Sequence, residues 1–279
     1  MGFALTVHSH KGGTGKTSIV ANLAALFAKK TYDTCLVDYD FRAPSQHVLF
    51  RSEPEHWIND YLDGGCGFEE CLVDLTDRYG TKGKLVVAFS NPDPQAILEM
   101  MTKDKAWQST ALRRIMEARD TLFNGLNFDV LIFDTSPGIH SSAVDAIAVS
   151  DAVILVVRND SIDLAGARFM VKAIYQALGK KTSMIINKVV SEKIAECGID
   201  RKIDRSEELD LTKSLGFDYP VSAVIPCYCE LMLDGGRTIQ ALHNPNHPFV
   251  EKLTAVAQQY EHSELRARGQ PRSDGNEAR

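Results

Sequence analysis

The stretch that most limits what this chain can become is residues 3–19, "FALTVHSHKGGTGKTSI". Six residues rich in strand formers run into a glycine loop. After Thr17 the apolar residues Ile19, Val20, Leu23, Leu26 and Phe27 recur at helical spacing. Strand, glycine turn and helix in that order predict a phosphate loop of the form G-x-x-x-x-G-K-[ST]. Gly15, Lys16 and Thr17 fit, while His10 stands where the first glycine is expected. Gly12, Gly13 and Gly15 carry no Cβ, so successive N–H groups around Thr14 can line a concavity for phosphate oxygens. The positive end of the following helix, at Lys16, Thr17 and Ser18, points at the same place. Lys16 then reaches the β- and γ-phosphates and the Thr17 hydroxyl ligates Mg²⁺. By chance, K-G-G-x-G-K-[ST] arises roughly once in 10⁷ windows, so a merely flexible turn is a poor account of it.

Apolar runs alternate with helical patterns almost to the end of the chain. Strands are predicted at 34–38, 84–89, 128–134, 152–157, 182–187 and 221–226, and helices at 16–30, 94–103, 106–123, 141–149, 161–178 and 248–262. Continuous apolar strands between helices define an α/β fold, a three-layer, mostly parallel sheet wrapped by helices. One domain is expected over 1–262, with a polar tail over 263–279 that has almost no apolar residues. The more polar stretch 188–218 reads as surface loops with a short helix.

Such sheets bind ligands at the carboxyl ends of their strands, and two of those ends carry aspartates. "CLVDYDFRAPS" supplies Asp38 and Asp40, and "VLIFDTSPGI" supplies Asp134. A rigid strand ending in a carboxylate delivers a hard oxygen ligand to Mg²⁺. The structural alternatives are an Asp134 that caps a turn and an Asp40 paired with Arg42.

The second lysine narrows the class. K-G-G-x-G-K-[ST], with Lys11 ahead of Lys16, resembles the deviant Walker A loop of the ParA/MinD family of P-loop ATPases, and the resemblance covers residues 1 to about 262. It implies a dimerising ATPase that uses ATP and Mg²⁺ to switch between an ADP monomer and an ATP sandwich dimer, for spatial positioning or partitioning of a cargo. By the same resemblance Lys11 crosses to the nucleotide of the partner subunit; the alternative is a lysine that neutralises its own triphosphate. Asp134 resembles the Walker B aspartate, with Gly138 donating its N–H to the γ-phosphate. Asp38, Asp40, Pro44 and Ser45 resemble the family's first switch element, so Asp40 orients the attacking water and Asp38 supports the Mg²⁺ water shell. Asn187 falls where the family reads the adenine edge, although Asn at a strand end is also a common turn former. Pro226 begins the loop that covers the base. A partner protein that stimulates hydrolysis is implied as well.

Composition bounds the output surface. The chain has 44% hydrophobic and 24% charged residues and a net charge of −6, which argues against broad nonspecific nucleic-acid binding. No stretch reaches the roughly 18 apolar residues of a membrane span, and no basic leader precedes the first strand. The expected location is the cytoplasm, with any membrane or nucleoid contact made through a partner, and the six cysteines are expected as thiols. Three competing outputs follow from particular residues. Arg201, Lys202, Arg205, Arg266, Arg268 and Arg272 could form a DNA-binding patch, as in ParA. Cys227 and Cys229 could form a four-sulfur site across a dimer for metallocluster maturation. "VDYDFRAP" also resembles bacterial tyrosine kinases, although no tyrosine-rich tail accompanies it. A stripe of Phe249, Val250, Leu253, Val256, Ala257 and Tyr260 reads as core rather than as a membrane helix.

Overall fold

The computed structural model describes residues 2–190, 213 and 219–266. Eight strands form one sheet in the order β3-β4-β2-β5-β1-β6-β7-β8. They are β1 Phe3–His8, β2 Thr34–Tyr39, β3 Leu72–Asp74, β4 Leu85–Ala88, β5 Val130–Thr135, β6 Ala152–Arg158, β7 Lys181–Val189 and β8 Val221–Pro226. All neighbours are parallel except the edge strand β3, which runs antiparallel to β4.

Side chains alternate across the sheet, and each face packs on its own helices. Phe3, Leu5, Val7, Ile132 and Ile154 pack with helix α1, Lys16–Lys30, and with the C-terminal helix Pro248–Tyr260. Ala4, Val37, Leu131 and Phe133 meet the opposite layer, built from α3 (Ile58–Asp63), α6 (Lys105–Asp120) and α7 (Ser141–Val149). Beyond β6, Val153, Leu155 and Met184 pack against α8, Ser161–Met170. Because α1 lies between the sheet and the C-terminal helix, almost its whole circumference is apolar. The six stripe residues of that last helix are all buried in the core. No helix among the described residues is long and apolar enough to cross a membrane.

The predicted strands and long helices are present with small shifts at their ends. Three helices end in a π-helical turn, at Thr121–Gly125, Val171–Tyr175 and Glu261–Leu265. The last carries the packed chain past residue 263, where the tail was expected to begin. Leu265 joins the core, and Glu264 pairs with Lys181 at 2.8 Å. Residues 267–279 of the expected tail and 191–212 and 214–218 of the polar stretch lie outside the described residues. Short elements escaped the periodicity: β3, α2 (Gln46–Phe50), α3, α4 (Thr76–Tyr79) and the turns at Cys229–Leu233 and Gln240–His243. Segments of three to six residues do not complete a period.

Strand order turns at β1, which lies between β5 and β6. The crevice outside the carboxyl ends at such a switch point is where open α/β sheets take their ligands. The β1–α1 loop opens into it, and the β2–β5 register sets Asp38 beside Asp134 at its edge.

Candidate functional site

In the β1–α1 loop three carbonyls are occupied, while among the described residues the amides of residues 12–15 are free. Ser9 Oγ donates to the Lys11 carbonyl at 2.6 Å. Lys188 Nζ donates to the Gly13 carbonyl at 2.8 Å and Asn187 Nδ2 to the Thr14 carbonyl at 2.7 Å. None of the N–H groups of Gly12, Gly13, Thr14 and Gly15 donates a hydrogen bond within the described residues. Unpaired backbone donors at the start of a 15-residue helix make an anion nest. Gly13 and Gly15 hold φ of +75° and +96°, and a Cβ on Gly15 would sit 2.5 Å from Asn187 Nδ2. Only glycine meets both conditions at residue 15.

His10 has a steric role. Its ring lies over Gly166 of α8, where a Cβ would come within 2.1 Å of it. Its Nδ1 is 3.9 Å from Asp163. Lys11 Nζ is 3.7 Å from Asp160, which caps α8.

Behind the loop, Lys16 is 6% exposed and Asp38 and Asp134 are fully buried. Burial lowers the Lys16 ammonium, opposed by the charges of Asp134, Asp40 and Asp163. Burial likewise raises Asp134 to about 6, with Lys16 and a Gln46 hydrogen bond opposing it. Asp38 is raised as well, first by burial and then by Asp134. Asp38 accepts from the backbone N–H of Asp40, Ser45 and Gln46. Gln46 Nε2 donates to Asp134 Oδ2 at 2.8 Å, while Asp134 Oδ1 is buried with no partner among the described residues. Two carboxylates side by side, one with an orphaned oxygen, are the donor set of a hard divalent cation.

Asp40 borders the same pocket. Its Oδ1 accepts from Ser136 Oγ at 2.5 Å, from Arg42 N at 3.2 Å and from Ala43 N at 3.1 Å. Its other oxygen has no hydrogen-bond partner among the described residues. The backbone of Arg42, not its guanidinium, holds Asp40 in place.

Gly138, at φ +80°, is held at both ends. Its N–H donates to the Ser9 carbonyl at 2.8 Å, and its carbonyl accepts from His8 Nε2 at 2.9 Å. A carbonyl only accepts, so His8 carries its proton on Nε2, and Nδ1 accepts from the Tyr175 hydroxyl at 2.7 Å. Burial lowers His8 to about 3, so the ring is neutral.

The pocket has a volume of about 630 Å³. Gly12, Gly13, Gly15, Lys16, Thr17 and Ser18 line one end, and Asn187, Pro226, Cys227 and Met232 the other. Thr14 turns its side chain inward, fully buried, and Lys11 stays outside with Asp160. Gln46, Ser136, His8 and Lys188 were missed by sequence reasoning. Each sits within two residues of a recognised motif, and that adjacency was the available signal. Cys35, Cys66 and Cys71 are free, but Cys229 is disulfide-bonded, correcting the expectation of six thiols. A sulfur already joined to another sulfur is no thiolate ligand. Arg266 bonds Glu261 at 3.1 Å; Arg201, Lys202, Arg205, Arg268 and Arg272 lie outside the described residues.

A parallel sheet with an anion nest after its first strand and two carboxylates on neighbouring strand ends defines a P-loop nucleotide-binding protein. The AAA_31 family model, described as an AAA domain, matches residues 4–188. The chain belongs to that family, among the ParA/MinD P-loop ATPases. It is 26% identical over 168 residues to the antiactivator FleN of Pseudomonas aeruginosa, covering 60% of this chain and 55% of FleN. It is 28% identical over 200 residues to an uncharacterised ATP-binding protein of Methanocaldococcus jannaschii, covering 71% and 69%. Among solved structures, the septum site-determining protein MinD of Pyrococcus horikoshii, complexed with Mg-ADP, superposes with a TM-score of 0.71 at 19% identity. That superposition covers 94% of this chain and 96% of MinD.

Proposed function

We propose that this chain is a Mg²⁺-dependent ATPase that pairs with a second copy when ATP is bound and separates after hydrolysis, to position a cellular cargo. The observation that carries the reading is the row of four unpaired N–H groups at Gly12–Gly15 beside Lys16, backed by Asp38 and Asp134. Nothing but a polyanion with a bound cation satisfies all of these groups together. ATP with Mg²⁺ fits the relatives, one described as ATP-binding and another complexed with Mg-ADP.

In this reading the nest and Lys16 bind the phosphates, and Thr17, Asp38 and Asp134 would hold Mg²⁺. When bound, the cation supplies neutralising charge to the phosphate oxygens. Asp40, with one oxygen locked by three donors, keeps the other for a water; it orients that water and accepts its proton as the oxygen attacks the γ-phosphorus and the bond to the bridging oxygen breaks, releasing ADP. Gly138 breaks from Ser9 and gives its N–H to the γ-phosphate. Asn187 and Pro226 take the base. The Lys11–Asp160 pair is loose and about one-third exposed on each side. Exposed pairs of this kind are weak, so Lys11 is readily surrendered to the nucleotide of a second copy. The domain is taken as residues 1–262, and hydrolysis is taken to be stimulated by a protein partner.

Equilibrium titration with ATP and Mg²⁺, followed by phosphate release, tests this. Binding and release are both expected, with binding lost in Lys16→Ala. A wild-type protein that binds no nucleoside triphosphate contradicts the reading.

A further inference from the structure

A second cavity of about 200 Å³ lies between the end of β2, the start of α7, helix α5 (Pro94–Thr102) and α6. Its polar lining includes Tyr39, Gln108, Ser141, Ser142 and Asp145, its apolar walls include Phe41, Met100 and Trp107, and Arg42 and His140 also border it. Tyr39 is 1% exposed and Asp145 half-buried. Neither the Tyr39 hydroxyl nor the Asp145 carboxylate has a hydrogen-bond or ion-pair partner among the described residues. Burial raises Asp145 to about 7. The Arg42 charge is felt by His140.

Unpaired acceptors enclosed by aromatic rings and a thioether describe the ligand. It must bring several donors and positive charge, and it must tolerate apolar surroundings. We propose that this cavity binds a primary alkylammonium group, its N–H donors taken by Asp145 and the Tyr39 oxygen and its alkyl chain packed on Phe41, Met100 and Trp107. The walls give the site a consequence. Phe41 follows Asp40 directly, and His140 is two residues beyond Gly138, so an occupant fixes both segments that face the phosphates. Resting on the ATPase reading above, the alkylammonium is an effector of hydrolysis, supplied either by a free amine or by a lysine of a protein partner.

The test separates binding from its effect. n-Butylammonium chloride is titrated into the nucleotide-free full chain while the Trp107 indole N–H signal is followed, with n-butanol as the neutral control. A saturable shift is expected with the amine and none with the alcohol. Asp145→Asn weakens it by about tenfold or more. Should that variant not fold, Tyr39→Phe, which removes only the hydroxyl, is expected to weaken it several-fold. No saturable shift, or one indifferent to both substitutions, overturns the site. Steady-state ATP turnover is then compared with n-butylammonium and with a capped Gly-Gly-Lys-Gly-Gly peptide. A change with both supports a site open to free amines, and a change with the peptide alone supports a protein lysine. Binding without any change in turnover overturns the effector role. A chain that binds the amine yet hydrolyses no ATP leaves the cavity standing and removes the ATPase reading instead.

Discussion

At the phosphate end of the main pocket Lys16 is 6% exposed and Asp38 and Asp134 are fully buried, whereas at the base end Met232 is 55% and its neighbour Leu233 88% exposed. The first end is built before ligand arrives. Its charges are desolvated and its donors aimed, held by Gln46 and Lys188 through bonds of 2.8–3.2 Å. The second is an apolar surface on a five-residue helix, Cys229–Leu233, still open to water. In the proposed reading affinity and chemistry belong to the rigid end, and the open end is where the base would be taken.

The largest effect separates chemistry from binding within the rigid end. Asp40→Ala is expected to lower turnover by about 10²–10⁴-fold with ATP affinity nearly unchanged, read from phosphate release beside a titration. Equal losses in both would make Asp40 a binding group. Next, Lys16→Ala is expected to weaken ATP by about 100-fold or more and Asn187→Ala by about tenfold or less. The reverse ranking, from the same titration, breaks the comparison between the ends.

The difference between the two ends is also the difference between what was legible and what was not. The placement of Lys16, Thr17, Asp38, Asp40 and Asp134 around one crevice was readable because a glycine loop after the first strand and carboxylates at strand ends all fall at the same edge of the sheet. The long elements were readable because burial imposes a period on them. Gln46, Ser136 and Lys188 were not, since each serves by hydrogen-bonding a neighbour that only the fold brings close. His8 is the clearest case. Inside "FALTVH" it looks like one more strand residue, and its bonds to Tyr175 and Gly138 cross 167 and 130 positions. Cys229 misled for a related reason: composition counts sulfurs but does not say which of them meet.

His8 also sharpens the account of the rigid end. Its folded pKa of about 3 lies below the ordinary 6.5, so the unfolded chain alone takes up a proton as pH falls. Its stabilisation is fully present above pH 6.5 and is lost toward about 3, by up to ~1.4 kcal/mol per pH unit. The raised carboxyls of Asp38, Asp134 and Asp145 act in the opposite sense. The useful quantity is therefore the difference between wild type and His8→Asn in urea midpoint, at about pH 7.5 and about pH 5. That difference is expected to shrink at the lower pH; a constant one would mean that His8 is not buried in its neutral form. The smallest effect is at the open end. Met232→Ser with Leu233→Ser is expected to change stability by no more than about 0.5 kcal/mol, and a large loss in the same melts would show that those side chains are already covered.

The central claim is that Lys11 leaves Asp160 for the triphosphate of a second copy. Sedimentation velocity of the Asp40→Ala chain with Mg-ATP reads it most directly. The account predicts a species of twice the 30.8 kDa chain mass with ATP, a single chain with ADP, and a single chain in both when Lys11→Ala is added. A dimer that persists without Lys11, or a monomer in every nucleotide state, would contradict it.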